Sequence, residues 1–323
     1  MKIYEYGEFL VSEINYINNL KEGVEKIYHK TIKNPEIVEC EIYYINNEVV
    51  SVKEYNEVGK LNIKYDCLNG NKHGKYKGYY DSGELILEID YLHDVKTGKQ
   101  VEYYKSGRVR FEQNYLNNKR EGIQRYFDNT GKLDWEQIYL NDVIITSKTF
   151  WKNLYNKPQF EGNLKDITEY KNGKPDGISK EYYEGGELKS IIIYKRGEKW
   201  EVEKRYYLSG KLSYEVKFIR GEKIGLEKRY YESGEMLSSV FYYKNKRGGV
   251  RQIFFLNGNI RNKVNYNDNK KDGIESEYYI SGEIFRTIKY VNGEIEGNQV
   301  EYYKNGKLKK IHSSNINELS NWI

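Results

Sequence analysis

The 323-residue chain is 38 % apolar, contains 35 Tyr but only 3 Pro, and carries 53 basic against 48 acidic residues for a net charge of +5. The length would suit two ordinary domains, yet the low apolar share argues against two ordinary cores. The mixed charge has no like-charge block, which excludes the basic stripe of a nucleic-acid reader, and Cys40 and Cys67 alone cannot form a disulfide framework.

The N-terminus, MKIYEYGEFLVSEINY, lacks an apolar leader core and a small-residue cleavage site. No apolar run is long enough to span a bilayer, so the cytoplasm is the expected location. Abundant Tyr, Ile and Val favour strands. The wealth of Lys, Asn, Ile and Tyr fits a microbe with an AT-rich genome.

Taken in order, residues 4–16 read as a worn hairpin, and Tyr16 opens a connector, YINNLKEG, that ends at Gly23. From there the chain repeats every 24 residues: Gly83, Gly107 and Gly131 keep that step, as do Gly186, Gly210, Gly234, Gly258, Gly282 and Gly306. The aromatic residue closing each second strand follows the same ruler at Tyr91, Tyr115 and Tyr139, then Tyr170, Tyr194, Phe218, Tyr242, Tyr266 and Tyr290. Cys67 and Tyr43 fill that slot in the worn N-terminal units. Two units carry insertions, near Lys30 to Glu36 and after Trp151 in KNLYNKPQFEG.

The stretch 98–121 shows what one unit is. An aromatic-rich run, a Ser-Gly turn, an alternating run and an Asn-Asn turn make a β-hairpin with its connector. Number the slots from Gly98 as slot one. Slots twelve, fourteen, sixteen and eighteen then share a face by period two: Leu85, Leu87, Ile89 and Tyr91 in one unit, Leu212, Tyr214, Val216 and Phe218 in another. Slot two is apolar at Ile178, Val202, Leu226, Val250 and Ile274, and slot six is aromatic at Tyr79, Tyr103, Tyr182 and Tyr206. The tip suits a type I turn with glycine in a G1 bulge, which sets slot six opposite slot twelve on the apolar face.

The expected fold is therefore all-β: an elongated, twisted, single-layer antiparallel sheet of about thirteen stacked hairpins, stabilised by neighbour contacts and on the order of 120 Å long. Residues 1–73 hold worn repeats, 74–145 and 177–309 regular ones, 146–176 the repeat with the tip insertion, and 310–323 a terminal cap, all within one continuous repeat domain. In that cap, Ser313 or Ser314 is expected to start a short helix whose Ile316, Leu319 and Trp322 cover the open edge.

The units GLEKRYYESGEMLSSVFYYKNKRG, GIESEYYISGEIFRTIKYVNGEIE and GNQVEYYKNGKLKK resemble MORN repeats, most closely the bacterial variant found in the YwqK-type antitoxin family. Insertions and connectors without glycine (Asn118, Asp142, Asp268) depart from the pattern. The resemblance implies a scaffold that binds protein partners rather than a catalyst, with dimerisation and phospholipid also associated with such repeats.

Slot seven, read as facing away from the apolar side, forms a row of candidate partner contacts at Tyr80, Tyr104, Phe127, Trp151, Tyr183, Tyr207, Tyr231, Phe255, Tyr279 and Tyr303. Such rings either stack to stabilise the sheet or line an interface. The insertion supplies Trp151, Tyr155 and Phe160 as a further contact, set against a tip loop that is merely tolerated. His73 and His93 share one edge, one hairpin apart, as a remote candidate for a common ligand, and NYNDNKKDGIE lacks the glycine and glutamate of a calcium loop. No catalytic residue, metal ligand set or cofactor motif is singled out. The expected function is non-enzymatic protein binding, with a toxin or effector as partner in an antitoxin or immunity role. The alternatives are a peripheral phospholipid binder, or a surface adhesin if a leader was removed. A homodimer remains open.

Overall fold

The computed structural model describes residues 1–5, 9–28, 37–152 and 162–313, and every regular element among them is a strand. The expected C-terminal helix, the insertion near Lys30 to Glu36, and Tyr155 and Phe160 lie outside the described residues. The chain divides into two compact units, Met1–Asn156 and Lys157–Ile323.

In the first unit, hairpins such as Asn71–Tyr79 with Leu85–Leu92, and Val95–Tyr103 with Val109–Leu116, follow one another along an antiparallel ladder. Each hairpin's second strand also pairs with the first strand of the next, as in Leu87↔Glu102 and Phe111↔Tyr126. The second unit repeats the plan, for example with Glu201–Tyr206 and Leu212–Ile219, then Glu222–Tyr230 and Met236–Tyr243. Each unit is an open sheet of stacked hairpins.

The tips form as their residues dictate. The Gly107 amide donates to the Tyr104 carbonyl (2.8 Å) and the Tyr104 amide to the Arg108 carbonyl (2.8 Å), with Gly107 at φ +80°. A side chain there would be strained, which is why the tip keeps glycine. The connectors turn through two left-handed residues, such as Asn117 (φ +52°) and Asn118 (φ +65°), the signature of a type I′ turn.

The tip bulge corrects the faces read from sequence. Tyr103 does lie opposite Val109, but the next pair is Glu102↔Phe111, so the second strand gains a residue. Slots fourteen, sixteen and eighteen therefore share a face with slots five, three and one, not with slots two and six. Slot six points to the other side: the hydroxyls of Tyr55 and Tyr230 donate to slot-fifteen carboxylates of the preceding hairpin, Glu41 (2.8 Å) and Glu215 (2.9 Å). Slot two likewise leaves the buried face, with Ile178, Leu226, Val250 and Ile274 all exposed.

Two slot assignments also differ from those read in the sequence. Gly23 pairs with Tyr44, which is buried, whereas Tyr43 is exposed. The connector to Val50 is one residue short, so counting back in whole periods lands one residue early. In the hairpin Gly122–Leu140, whose register is the regular one, Phe127 pairs with Leu133 and fills slot six, while Asp128 takes slot seven. Its carboxylate accepts from the Thr130 amide (2.8 Å), the Thr130 hydroxyl (2.6 Å) and the Lys132 amide (3.1 Å). Burial opposes its charge, but these donors outweigh burial and hold the Asp128 carboxyl below its usual range.

Candidate functional site: one clasped face and one open face

On the buried face, the slot-seven tyrosines turn out to be clasps. Each hydroxyl donates to the slot-six carbonyl of the next hairpin: Tyr80 to Tyr103 (3.0 Å) and Tyr104 to Phe127 (2.8 Å) in the first unit. In the second unit Tyr183 reaches Tyr206 (2.8 Å), Tyr207 reaches Tyr230 (2.6 Å), Tyr231 reaches Phe254 (2.8 Å) and Tyr279 reaches Tyr302 (2.9 Å). This bond couples adjacent repeats through a carbonyl that the bulge leaves near the tip and engages these six hydroxyls, whereas Tyr303 of the last hairpin is 51 % exposed. The ring faces still border clefts: Tyr183 lines one with Glu181, Lys189 and Arg205, and Phe255 lines another with Arg251 and Arg261. Trp151 is half-buried at the end of the described strand arm.

The connector edge carries a second device. A Lys or Arg at slot twenty-three lies over the closing aromatic of the next hairpin: Lys96 over Tyr115 (5.2 Å), Arg120 over Tyr139 (4.3 Å), Lys199 over Phe218 (5.1 Å), Lys223 over Tyr242 (5.0 Å) and Lys271 over Tyr290 (4.5 Å). Four residues on, slot three often provides a buried carboxylate. Glu203 is 2 % exposed and meets Lys199 (2.7 Å) and Arg205 (2.6 Å). Glu227 meets Lys223 (2.6 Å), Arg229 (3.2 Å) and the Tyr214 hydroxyl (3.1 Å). Glu275 pairs with Lys271 and accepts from Asn262 (2.9 Å). Burial alone would raise these carboxyls, but the cations beside them win, and all three lie below the usual carboxylate range.

Connectors are also tied to one another. The Asn118 amide donates to the Lys96 carbonyl (3.0 Å) while its side-chain oxygen accepts from the Lys96 amide (2.7 Å). Asp94, Asp142, Asn245 and Asn269 repeat this with Lys72, Arg120, Lys223 and Arg247. Connectors with glycine at this slot, at Gly197 and Gly221, keep only the backbone bond. Asn118 and Asp142, read as departures from the glycine pattern, thus supply an extra hydrogen bond; in the turn NYNDNKKDGIE the glycine slot belongs to Asn269 rather than Asp268, whose carboxylate instead pairs with Lys246 (2.7 Å).

The opposite face is open. Leu226 and Phe241 oppose each other across one hairpin and are both 43 % exposed. Ile123↔Ile138 and Ile178↔Ile193 are further apolar pairs on this face, and Val250 and Ile274 continue the row. Charged pairs lie between them, such as Arg125–Glu136 (3.0 Å) and Lys148–Glu136 (2.8 Å). His73 and His93 do meet, with ring centroids 5.0 Å apart, but no cluster of three or more metal-ligating side chains occurs among the described residues.

The period and both aromatic slots were legible in the sequence. The ion-pair row was missed, although its signal, a Lys four residues before a Glu at Lys21, Lys199, Lys223 and Lys271, was present.

Clasped hairpins, a connector edge and an open face define a repeat scaffold. A family model described as MORN repeat variant matches residues 72–93, 96–117, 175–196, 223–245, 247–268 and 295–315, so six units of the chain are repeats of that kind. Comparison with curated proteins gives no match. Among solved structures it is similar to TcdB2-TccC3 without its hypervariable C-terminal region, at 12 % identity over 97 % of this chain and 20 % of that one, with a TM-score of 0.19. TcdB2-TccC3 itself gives 12 % identity, 97 % and 21 % coverage and a TM-score of 0.15. The chain spans about a fifth of the length of those structures. Scores this low carry no functional inference.

Proposed function

We propose that this repeat scaffold is non-enzymatic and binds another protein through the open face of its second unit. The observation that carries the reading is the uncovered apolar row, in which Leu226 and Phe241 each keep 43 % of their surface in water. Apolar cross-strand pairs that nothing covers mark interaction surfaces. The charged pairs between them supply the polar rim such interfaces carry. An antitoxin or immunity role in the cytoplasm, with a toxin or effector as the partner, is the particular form we favour. Trp151, with Tyr155 and Phe160, is proposed as a second contact.

The test uses a product of a neighbouring gene as candidate partner and measures its binding to the purified chain. Leu226→Lys with Phe241→Lys should leave the circular dichroism spectrum unchanged and weaken binding at least about tenfold. Trp151→Ala should weaken it less. Undiminished binding by the double variant would remove the open face from the reading. Salt-sensitive sedimentation with phosphatidylserine vesicles, abolished by Lys72→Glu and Lys96→Glu, would instead favour a membrane surface as partner.

A further inference from the structure

We infer that the cleft between the hairpins Lys246–Asn267 and Gly273–Val291 binds a carboxylate from an acidic segment of a protein partner, held by Arg251 and Arg261. This deepens the scaffold reading and rests on it.

Slot three sits at the centre of the ion-pair row. In the second unit that slot lies opposite a buried aliphatic residue, as in Glu203↔Val216, Glu227↔Val240 and Glu275↔Ile288. Each of these carboxylates is ion-paired with the Lys four residues before it. Two other hairpins of the unit carry the neutral Ser179 and Gln299 at this slot, and one carries a cation. Arg251 occupies slot three opposite Val264, which is 0 % exposed, and the residue four before it is Arg247. Where the neighbouring repeats place a cation and a carboxylate, this one places two guanidinium groups.

Nothing nearby restores the balance. Arg247 lies over the Tyr266 ring at 4.8 Å and Arg261 over Phe255 at 5.9 Å. Neither Arg251 nor Arg261 has a carboxylate partner among the described residues. Glu227 is engaged by Lys223 and Arg229, Glu275 by Lys271 and Asn262, and Glu277 by Arg286 (2.9 Å). Arg251 and Arg261 line a cleft of about 390 Å³ with Ile253, Phe255 and Phe285. The missing member of the repeat's own ion-pair row is a carboxylate, and planar guanidinium groups hold carboxylates well. The apolar lining suits a peptide with an aromatic or aliphatic side chain beside its acid. Glu277 at the same cleft disfavours a dianionic phosphate.

The probe is fluorescein-labelled (Glu-Phe)3, followed by fluorescence anisotropy with the full chain at low salt, with (Lys-Phe)3 as control. The acidic peptide should bind and the basic one should not. Arg251→Glu should lower affinity at least about tenfold. The same change should raise Tm, because a carboxylate at that slot pairs with Arg247 as its siblings pair with lysine. Arg251→Gln and Arg261→Gln should each weaken binding with Tm unchanged.

Equal binding of both peptides, or affinity unaffected by all three substitutions, would overturn the inference. So would binding of inorganic phosphate or phosphatidylserine vesicles in preference to the acidic peptide. If the peptide fails while the open-face substitutions still abolish partner binding, the inference falls and the scaffold reading stands.

Discussion

Glu203→Gln tests the ion-pair row most directly. The carboxylate is 2 % exposed and holds Lys199 at 2.7 Å and Arg205 at 2.6 Å. Hydrogen bonds to charged groups contribute roughly 1.5–3 kcal/mol each when buried. The side chains of Lys199 and Arg205 are 32 % and 57 % exposed, so water recovers part of what they lose. The amide also keeps some hydrogen bonding. We therefore expect a net loss of about 2 kcal/mol at neutral pH. For a unit of this size that is a fall in Tm of roughly 4–8 °C.

The pH dependence fixes the sign. The native Glu203 carboxyl lies below its ordinary range: burial raises it, but Lys199 and Arg205 outweigh burial. Its contribution is therefore fully present above the unfolded carboxylate value and lost as pH falls through the lower folded one. The assay is thermal unfolding of both proteins from pH 7 down to pH 3. The gap should narrow steadily below the ordinary carboxylate range. A gap under about 1 °C at pH 7, a quarter of the smallest expected shift, or one that persists undiminished at pH 3, would refute the ion-pair account.

Tyr207→Phe removes the 2.6 Å clasp to the Tyr230 carbonyl and should cost about 1 kcal/mol in urea unfolding, with faster amide exchange concentrated at that tip. Asn118→Gly should be nearly neutral, because glycine fills the equivalent slot at Gly197 and Gly221, whereas Asn118→Ala at φ +65° should cost about 1 kcal/mol or more by the same measurement. The Cys40 thiol is pushed up to about 11, first by burial and then by Glu54 and Glu39, so thiolate formation is suppressed. Its reaction with a disulfide reagent at pH 8 should be about a hundredfold slower than that of an ordinary thiol, and full-rate labelling would contradict this environment.

Legibility ran out at particular residues. Gly83, Gly107 and Gly131 announce their turns because only glycine takes the left-handed tip position without strain, so local chemistry alone fixes the period. Tyr43 was misplaced because a short connector moves the slots by one, which counting in whole periods conceals; Phe127 was misplaced although its hairpin keeps the period, because Asp128 rather than an aromatic ring fills slot seven there. For the partner contacts, the sequence marked the slot-seven rings but not their hydroxyl bonds, since Tyr207 and Tyr230 stand a full repeat apart.

What the sequence by itself determined is the repeat: hairpins, their tips, their connectors and the two aromatic slots, all set by interactions within a few residues. What only the tertiary structure decided is which way those slots face. One extra residue at each bulge reverses the parity between the two strands, turning Tyr103 away from Phe111 and leaving Leu226 open to water. The pairing of Lys199 with Glu203, and the absence of such a carboxylate beside Arg251, likewise become visible only when neighbouring hairpins are stacked.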